Sequence, residues 1–215
     1  MEIDSSHVSR TYSFKQFLLP GYIFLFFCIW IWTFVEAYDL YVWIMENILL
    51  FLMVVGAVFT YKKYPFSHLS YSLLITFLLL HLYGARYTYE NNPLGLWFQS
   101  IAGTERNSYD RVVHFSFGAL WTYPVYELIR KYGKIPLVFA SIGTFTILTT
   151  LASLYELVEW IVGEVFFPEQ GTAFIGLQGD VWDTQKDIAL ALVGSLFTLA
   201  LILFARKPTI SASNA

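Results

Sequence analysis

Charge is scarce in this chain. Of its 215 residues only 13% are Asp, Glu, Lys or Arg, about half of the roughly 25% found in an average soluble domain, so the composition excludes an ordinary water-soluble globule. Cysteine is almost absent. Cys28 stands alone inside the first apolar block, which rules out an internal disulfide and removes that guide to compartment. The amino terminus has no short apolar core followed by a small-residue cleavage site, and the first apolar block is too long and too rich in Trp and Phe for a signal peptide. It is read as a retained helix. No basic stretch marks a nucleic-acid partner, and the chain holds neither an internal repeat nor a low-complexity tract.

What is present is apolar and aromatic: 57% of residues are hydrophobic and 20% are Phe, Trp or Tyr. They fall in blocks close to the roughly 20 residues that cross a hydrocarbon core about 30 Å thick. Six spans are expected, at about residues 16–35, 42–61, 65–83, 112–129, 135–162 and 188–204. The fold class is therefore all-α, a polytopic transmembrane helix bundle. A single domain occupies 16–205, between an amino-terminal tail at 1–15 and a carboxyl-terminal tail at 206–215.

Lys and Arg alternate between the span ends. Arg10 and Lys15, Lys62 and Lys63, Arg130, Lys131 and Lys134, and Arg206 and Lys207 fall on one side, leaving Arg86, Arg106, Arg111 and Lys186 on the other with most of the acids. By the positive-inside rule the first set is cytoplasmic, so both tails are expected there and the acids face outward. The expected location is the inner or plasma membrane.

On that outer face three helix ends gather ionisable residues. Asp110 and His114 are four apart at the head of the fourth span, Glu156 and Glu159 three apart near the end of the fifth, and Asp183 and Asp187 four apart at the head of the sixth. Each spacing places a pair on one helix stripe. Asp110, Asp180 and Asp183 are partly explained as acids at helix amino termini. Asp187, inside its helix, and the two glutamates, placed at a carboxyl-terminal end, need another partner, because intramembrane charge is costly unless paired. A divalent cation held by His114, Glu156, Glu159, Asp183 and Asp187 is one such partner. Oxygen-rich ligands suit Mg, Ca or Mn, while the imidazole keeps Fe and Zn open. Asp110, Asp180, Glu46, Gln178 and Gln185 are the expected supporting residues. Two readings stand beside the cation: a plug in which Arg86, Arg111, Lys186 and His114 neutralise the acids, and a proton or ion pathway.

Other residues carry smaller expectations. Glu46 lies inside the second span with no basic residue within a turn, so it needs a partner from another helix. His81 would join the cluster if its helix turned that face inward. Glu127 has Arg130 and Lys131 three and four residues on, the spacing of ordinary helix-surface ion pairs. Residues 94–101 are too few to cross and would form a short surface helix, a lid. Gly171, Gly176 and Gly179 would tighten the last outer loop.

At "RNSYDRVVHFSFG", "YELVEW" and "GTAFIGLQGDVWDTQKDIALALVG" the sequence resembles the YjdF family of small bacterial inner-membrane proteins, a family without an assigned activity. The resemblance covers about residues 61–194. Its Gly-Thr-Gln-Gly-Asp-x-Trp-Asp-Thr-Gln pattern is met at Gly176, Leu177, Gln178, Gly179, Asp180, Val181, Trp182, Asp183, Thr184 and Gln185. Leu177 departs from it, which argues against a direct chemical role for a hydroxyl there. Arg86 stands where relatives carry His; a guanidinium cannot coordinate a cation, but it suits carboxylate or phosphate. The Asp-x-x-x-His-Phe, Tyr-Glu and Asp-x-x-x-Asp elements are also similar to the VanZ-like membrane proteins, a likeness that implies a role at the cell envelope.

The leading expectation is a metal-dependent hydrolase or transferase acting on a lipid or envelope substrate, with His114 or Glu159 moving the proton and Arg86 and Arg111 holding an anionic headgroup. The alternatives are a proton- or ion-coupled transporter and a structural or envelope-stress protein. The bilayer itself is the one partner the composition requires.

Overall fold

The computed structural model describes residues 15–166 and 178–205. The tails at 1–14 and 206–215 and the loop glycines Gly171 and Gly176 lie outside the described residues. The rest is helical: α1 (Lys15–Val35), α2 (Leu40–Tyr61), α3 (His68–Arg86), a short α4 (Pro93–Ala102), α5 (Tyr109–Tyr132), α6 (Leu137–Trp160) continuing as a π-helical turn over Ile161–Phe166, and α7 (Asp183–Ala205).

Five of these helices, α1, α2, α3, α6 and α7, are long and apolar enough to cross a membrane. The remaining expected span, the fourth, is α5, which has the length but not the apolarity. Its 24 residues rise about 36 Å at 1.5 Å each, yet they include Asp110, Arg111, Glu127, Arg130 and Lys131. Position accounts for the difference. α5 packs against α3, α6 and, most extensively, α7, so protein shelters its inward-facing polar side chains, while Arg130 and Lys131 lie at its end.

Small residues make the α5–α7 contact close. A Cβ on Gly118 would stand 1.9 Å from the Ala191 carbonyl oxygen, and one on Gly194 would stand 2.2 Å from that of Phe115, so only hydrogen fits at either position. Two hydrogen bonds tie the same seam: Thr122 Oγ1 and Ser195 Oγ lie 2.8 Å apart, and Thr198 Oγ1 donates to the Ala119 carbonyl at 2.7 Å. Close backbone approach plus interhelical hydrogen bonds is how membrane helices associate without a hydrophobic driving force.

α2 is attached differently. Its backbone comes closest to α3 and stays farther from α1 and α6, so it meets α1 through long side chains such as Trp30, Phe34 and Trp43. Its polar links sit toward its amino-terminal end, where Trp30 Nε1 donates to Asn47 Oδ1 at 3.0 Å and Trp43 Nε1 to Thr33 Oγ1 at 3.3 Å. Beyond Leu50, none of its described side chains is buried.

At the basic end of the bundle Glu127 corrects an expectation. It makes no ion pair with Arg130 or Lys131 among the described residues. Its carboxylate instead accepts from the Ser67 backbone N–H and Ser67 Oγ, both at 2.9 Å, and from Ser70 Oγ. The unsatisfied N–H groups at the start of α3 are a stronger attraction for this carboxylate than exposed cations on its own helix. Lys131 donates to the Pro65 carbonyl at 2.8 Å, and Arg130 to that of Ile135.

The expected surface helix is present as α4, capped by Asn92 Oδ1, which accepts from Leu94 N at 3.0 Å and Gly95 N at 3.2 Å. Leu94, Leu96, Trp97, Phe98 and Ile101 on it are exposed, the character of a helix lying in a membrane interface.

Candidate functional site

The amino-terminal end of α5, the last turns of α6 and the first turns of α7 meet at the end of the bundle opposite Glu127. The site they form has two layers. In the outer layer Arg106 stands 2.6 Å from Asp183 Oδ1, Arg111 contacts Asp180 and lies 3.6 Å from Asp183, and Lys186 Nζ reaches Asp180 Oδ2 at 2.6 Å. Asp180 Oδ1 also accepts the Trp182 backbone N–H at 3.1 Å, the capping role expected of it. The hydrogen bond from Lys186, then those from Trp182 and Arg111, hold the Asp180 carboxyl at about 2, below its ordinary 3.8. In this layer every acid has a basic partner.

The inner layer does not balance. His114 Nε2 lies 3.4 Å from Asp110 Oδ1 and 3.4 Å from Glu156 Oε1, and it is the joint between two groups of donor atoms: Asp110, His114 and Asp187, and His114, Glu156 and Glu159. Arg106, 3.7 Å from Asp110, is the link to the outer layer. All these acids except Asp110 are buried; among the described residues no hydrogen bond reaches Asp187 Oδ1, and Glu156 Oε1 has the 3.4 Å approach of His114 Nε2 as its contact. Buried polar atoms are nearly always hydrogen-bonded, so buried carboxylates this sparsely partnered require a physical account.

The α6 glutamates are not at a helix end. The π-helical turn carries the chain on through Phe166, so Glu156 and Glu159 lie inside a continuous helix and the terminal-dipole penalty expected for them is displaced beyond the π turn.

Below the inner layer lies a third set of polar residues. Tyr155 Oη donates to Glu46 Oε2 at 3.0 Å, supplying the partner Glu46 needs from another helix. His81 turns inward, with Tyr89 Oη 2.7 Å from its Nδ1 and the Glu46 carbonyl 3.3 Å from its Nε2. Tyr89 therefore donates to Nδ1 while Nε2–H donates to the carbonyl, one consistent tautomer.

The expected residues are thus distributed unevenly. Asp110, His114, Glu156, Glu159 and Asp187 come together, whereas Asp183 is engaged by Arg106 and Arg111. Gln178 ties the last loop to Asn107, and Gln185 is exposed. Arg86 lies apart: its ion pair is with Glu36 at 3.4 Å, and its guanidinium packs over the Trp32 and Tyr87 rings. Sequence reading passed over Arg106, Tyr89 and Tyr155. Arg106 had a signal, its four-residue spacing from Asp110; Tyr155 had only its place beside Glu156.

The inner layer fits a divalent cation. Its donors are carboxylate oxygens and one imidazole nitrogen, and within each group the ligand atoms lie within 4.8 Å of one another, close to the separation of opposite ligands that each stand roughly 2.0–2.6 Å from a shared ion.

Comparison with known proteins agrees with the sequence resemblance. The profile of a family described as "Predicted membrane protein (DUF2238)" matches residues 19–208. The chain is 30% identical over 173 residues to the inner membrane protein YjdF of Escherichia coli strain K12, a match covering 79% of this chain and 81% of that protein. No solved structure matches it.

Proposed function

The chain belongs to the DUF2238 family of predicted membrane proteins, and from that premise we propose that this multi-pass protein is an inner-membrane, metal-dependent hydrolase or transferase acting on a lipid or envelope substrate. One observation carries the reading. Carboxylates from three helices, those of α6 and α7 buried, surround a single histidine, and among the described residues no hydrogen bond reaches Asp187 Oδ1. Like charges so close and so buried repel one another, and a divalent cation would offset that repulsion through several ligands at once.

The site lies at the end opposite the Lys62, Lys63, Arg130, Lys131 and Lys134 cluster. By the positive-inside rule it faces away from the cytoplasm, with both chain ends on the cytoplasmic side. Glu156, Glu159, Asp187, Asp110 and His114 would hold the ion, which when bound would polarise a phosphoryl or carbonyl oxygen or acidify a water. Whichever of His114 and Glu159 is left off the ion would carry the proton, and Asp110, 3.4 Å from His114 Nε2, would orient the imidazole. Arg106 and Arg111 fix the start of α7 through Asp183 and Asp180, and so set the position of Asp187.

The test is elemental analysis of detergent-purified protein prepared without chelators and supplied with Mg, Mn and Zn. Wild type should retain close to one equivalent of a cation that Glu159→Gln and Asp187→Asn lose while still folding. A metal-free wild type would replace the cation with protons shared among the carboxylates.

A further inference from the structure

A cavity of about 500 Å³ extends from beneath His114 into the bundle between α2, α3, α5 and α6, within the roughly 300–1,000 Å³ typical of small-molecule sites. Its ionisable groups are confined to one end, and the Trp121 indole N–H is the polar atom at the other. From Asp110 and His114 the α5 wall continues through Phe117 to Trp121, about 16 Å of helix rise, and the facing wall is largely aliphatic. A wholly water-soluble substrate would leave most of this length without a complementary partner.

The cavity opens sideways. Leu52 and Met53 of α2 and Leu151 and Leu154 of α6 line it and are also exposed, and α2 and α6 hardly touch. Both helices are of membrane-spanning length and composition, so this mouth faces hydrocarbon rather than either aqueous end. An open apolar cleft at that depth is in contact with acyl chains at the concentration of the bilayer itself.

We infer that an acyl chain of a bilayer lipid enters between α2 and α6 and lies along α5, with the lipid's polar group against Asp110 and His114. The assignment of that polar group to the reacting end rests on the proposed function; the seating of the chain does not. Arrival from within the bilayer also explains how a substrate reaches an inner carboxylate layer that the Arg106, Arg111 and Lys186 pairs cover from the other side.

The experiment uses full-length protein in nanodiscs containing phosphatidylethanolamine with a diazirine at the end of one acyl chain. After irradiation, labelled residues are mapped by mass spectrometry. Wild type should be labelled on the inner wall, at Phe77, Phe117 or Trp121, as well as on outward-facing Phe59. Leu154→Trp and Leu52→Trp narrow the mouth from opposite sides at exposed positions where folding is not at stake. Both should lose inner-wall labelling and keep that of Phe59. An unlabelled inner wall in wild type, or labelling that survives both substitutions, would each overturn the inference. Metal content measured on the same samples separates the two readings: inner-wall labelling without metal sustains the acyl-chain site and removes the cation, and metal without labelling does the reverse.

Discussion

Gln178 and Asn107 exchange two hydrogen bonds: the Asn107 backbone N–H donates to Gln178 Oε1 at 2.9 Å, and Gln178 Nε2 donates to the Asn107 carbonyl at 3.1 Å. The Asn107 side chain in turn donates to the Glu90 and Asn92 carbonyls, each at 2.9 Å. One residue thereby joins the last loop, the segment entering α4 and the start of α5. Gln178→Ala should destabilise the protein by about 1–3 kcal/mol, the sum of two hydrogen bonds at roughly 0.5–1.5 each. Gln178→Glu, which keeps only the acceptor, should lose about half as much. Thermal unfolding in detergent measures both.

Glu127 supports a second prediction. Glu127→Ala removes a charged acceptor from Ser67 and Ser70 and should lower stability by about 1.5–3 kcal/mol. Arg130→Ala, at a side chain whose partner among the described residues is a nearby carbonyl, should cost far less. Equal losses in the two variants would return Glu127 to the role of a surface ion-pair partner.

Glycine substitutions separate close packing from helix propensity. Gly118→Ala forces a methyl onto the Ala191 carbonyl and should reach or exceed the upper end of the roughly 1–3 kcal/mol that overpacking costs. Gly56→Ala in α2 has nothing within 4 Å of the added atom and should stabilise by roughly 0.5–1 kcal/mol through helix propensity. Melting temperatures of opposite sign are the expected result.

Acid sensitivity follows from Asp180. Its folded-state value, about 2, lies below the ordinary 3.8, so the folded state favours the ionised carboxylate. The stabilisation is complete above the unfolded value and is lost as pH falls through the folded one. Asp180→Asn should therefore flatten the decline of stability between about pH 4 and pH 2, read as melting temperature against pH. An unchanged slope would place the acid sensitivity in other carboxylates.

Cation binding has a stability readout of its own. A divalent ion at a hundredfold excess over its Kd should stabilise wild type by about 2.7 kcal/mol, an increment that a chelator removes. Asp187→Asn should show neither the increment nor the chelator effect.

The spans were legible because hydropathy reports on lipid contact, and most of these helices face lipid. α7 was expected from Ile188 but begins at Asp183, since its polar first turns are sheltered by α5 and α6 in a way that an apolar-run criterion cannot register. The site's gathering of Asp110, His114, Glu156, Glu159 and Asp187 was legible from three- and four-residue spacings at helix ends that topology places together. The division into a balanced and an unbalanced layer was not. It depends on Arg106 reaching Asp183 and on Tyr155 meeting Glu46 across 109 residues, pairings set by which helices become neighbours. No periodicity within one helix encodes them.

The polarity of α5 bears on how the protein is made. A segment carrying Asp110, Arg111, Glu127, Arg130 and Lys131 partitions poorly into a bilayer by itself, with each charge near the centre of a span costing about 2.5–3.5 kcal/mol on insertion scales and less toward its ends. Its closest partner, α7, is synthesised only after α6. α5 must therefore wait, held by α3 or at the translocation machinery, until α7 emerges, and these helices integrate as a concerted event rather than one by one. Truncation before Asp183 should leave α5 exposed to quality-control proteases even though every preceding apolar helix is intact.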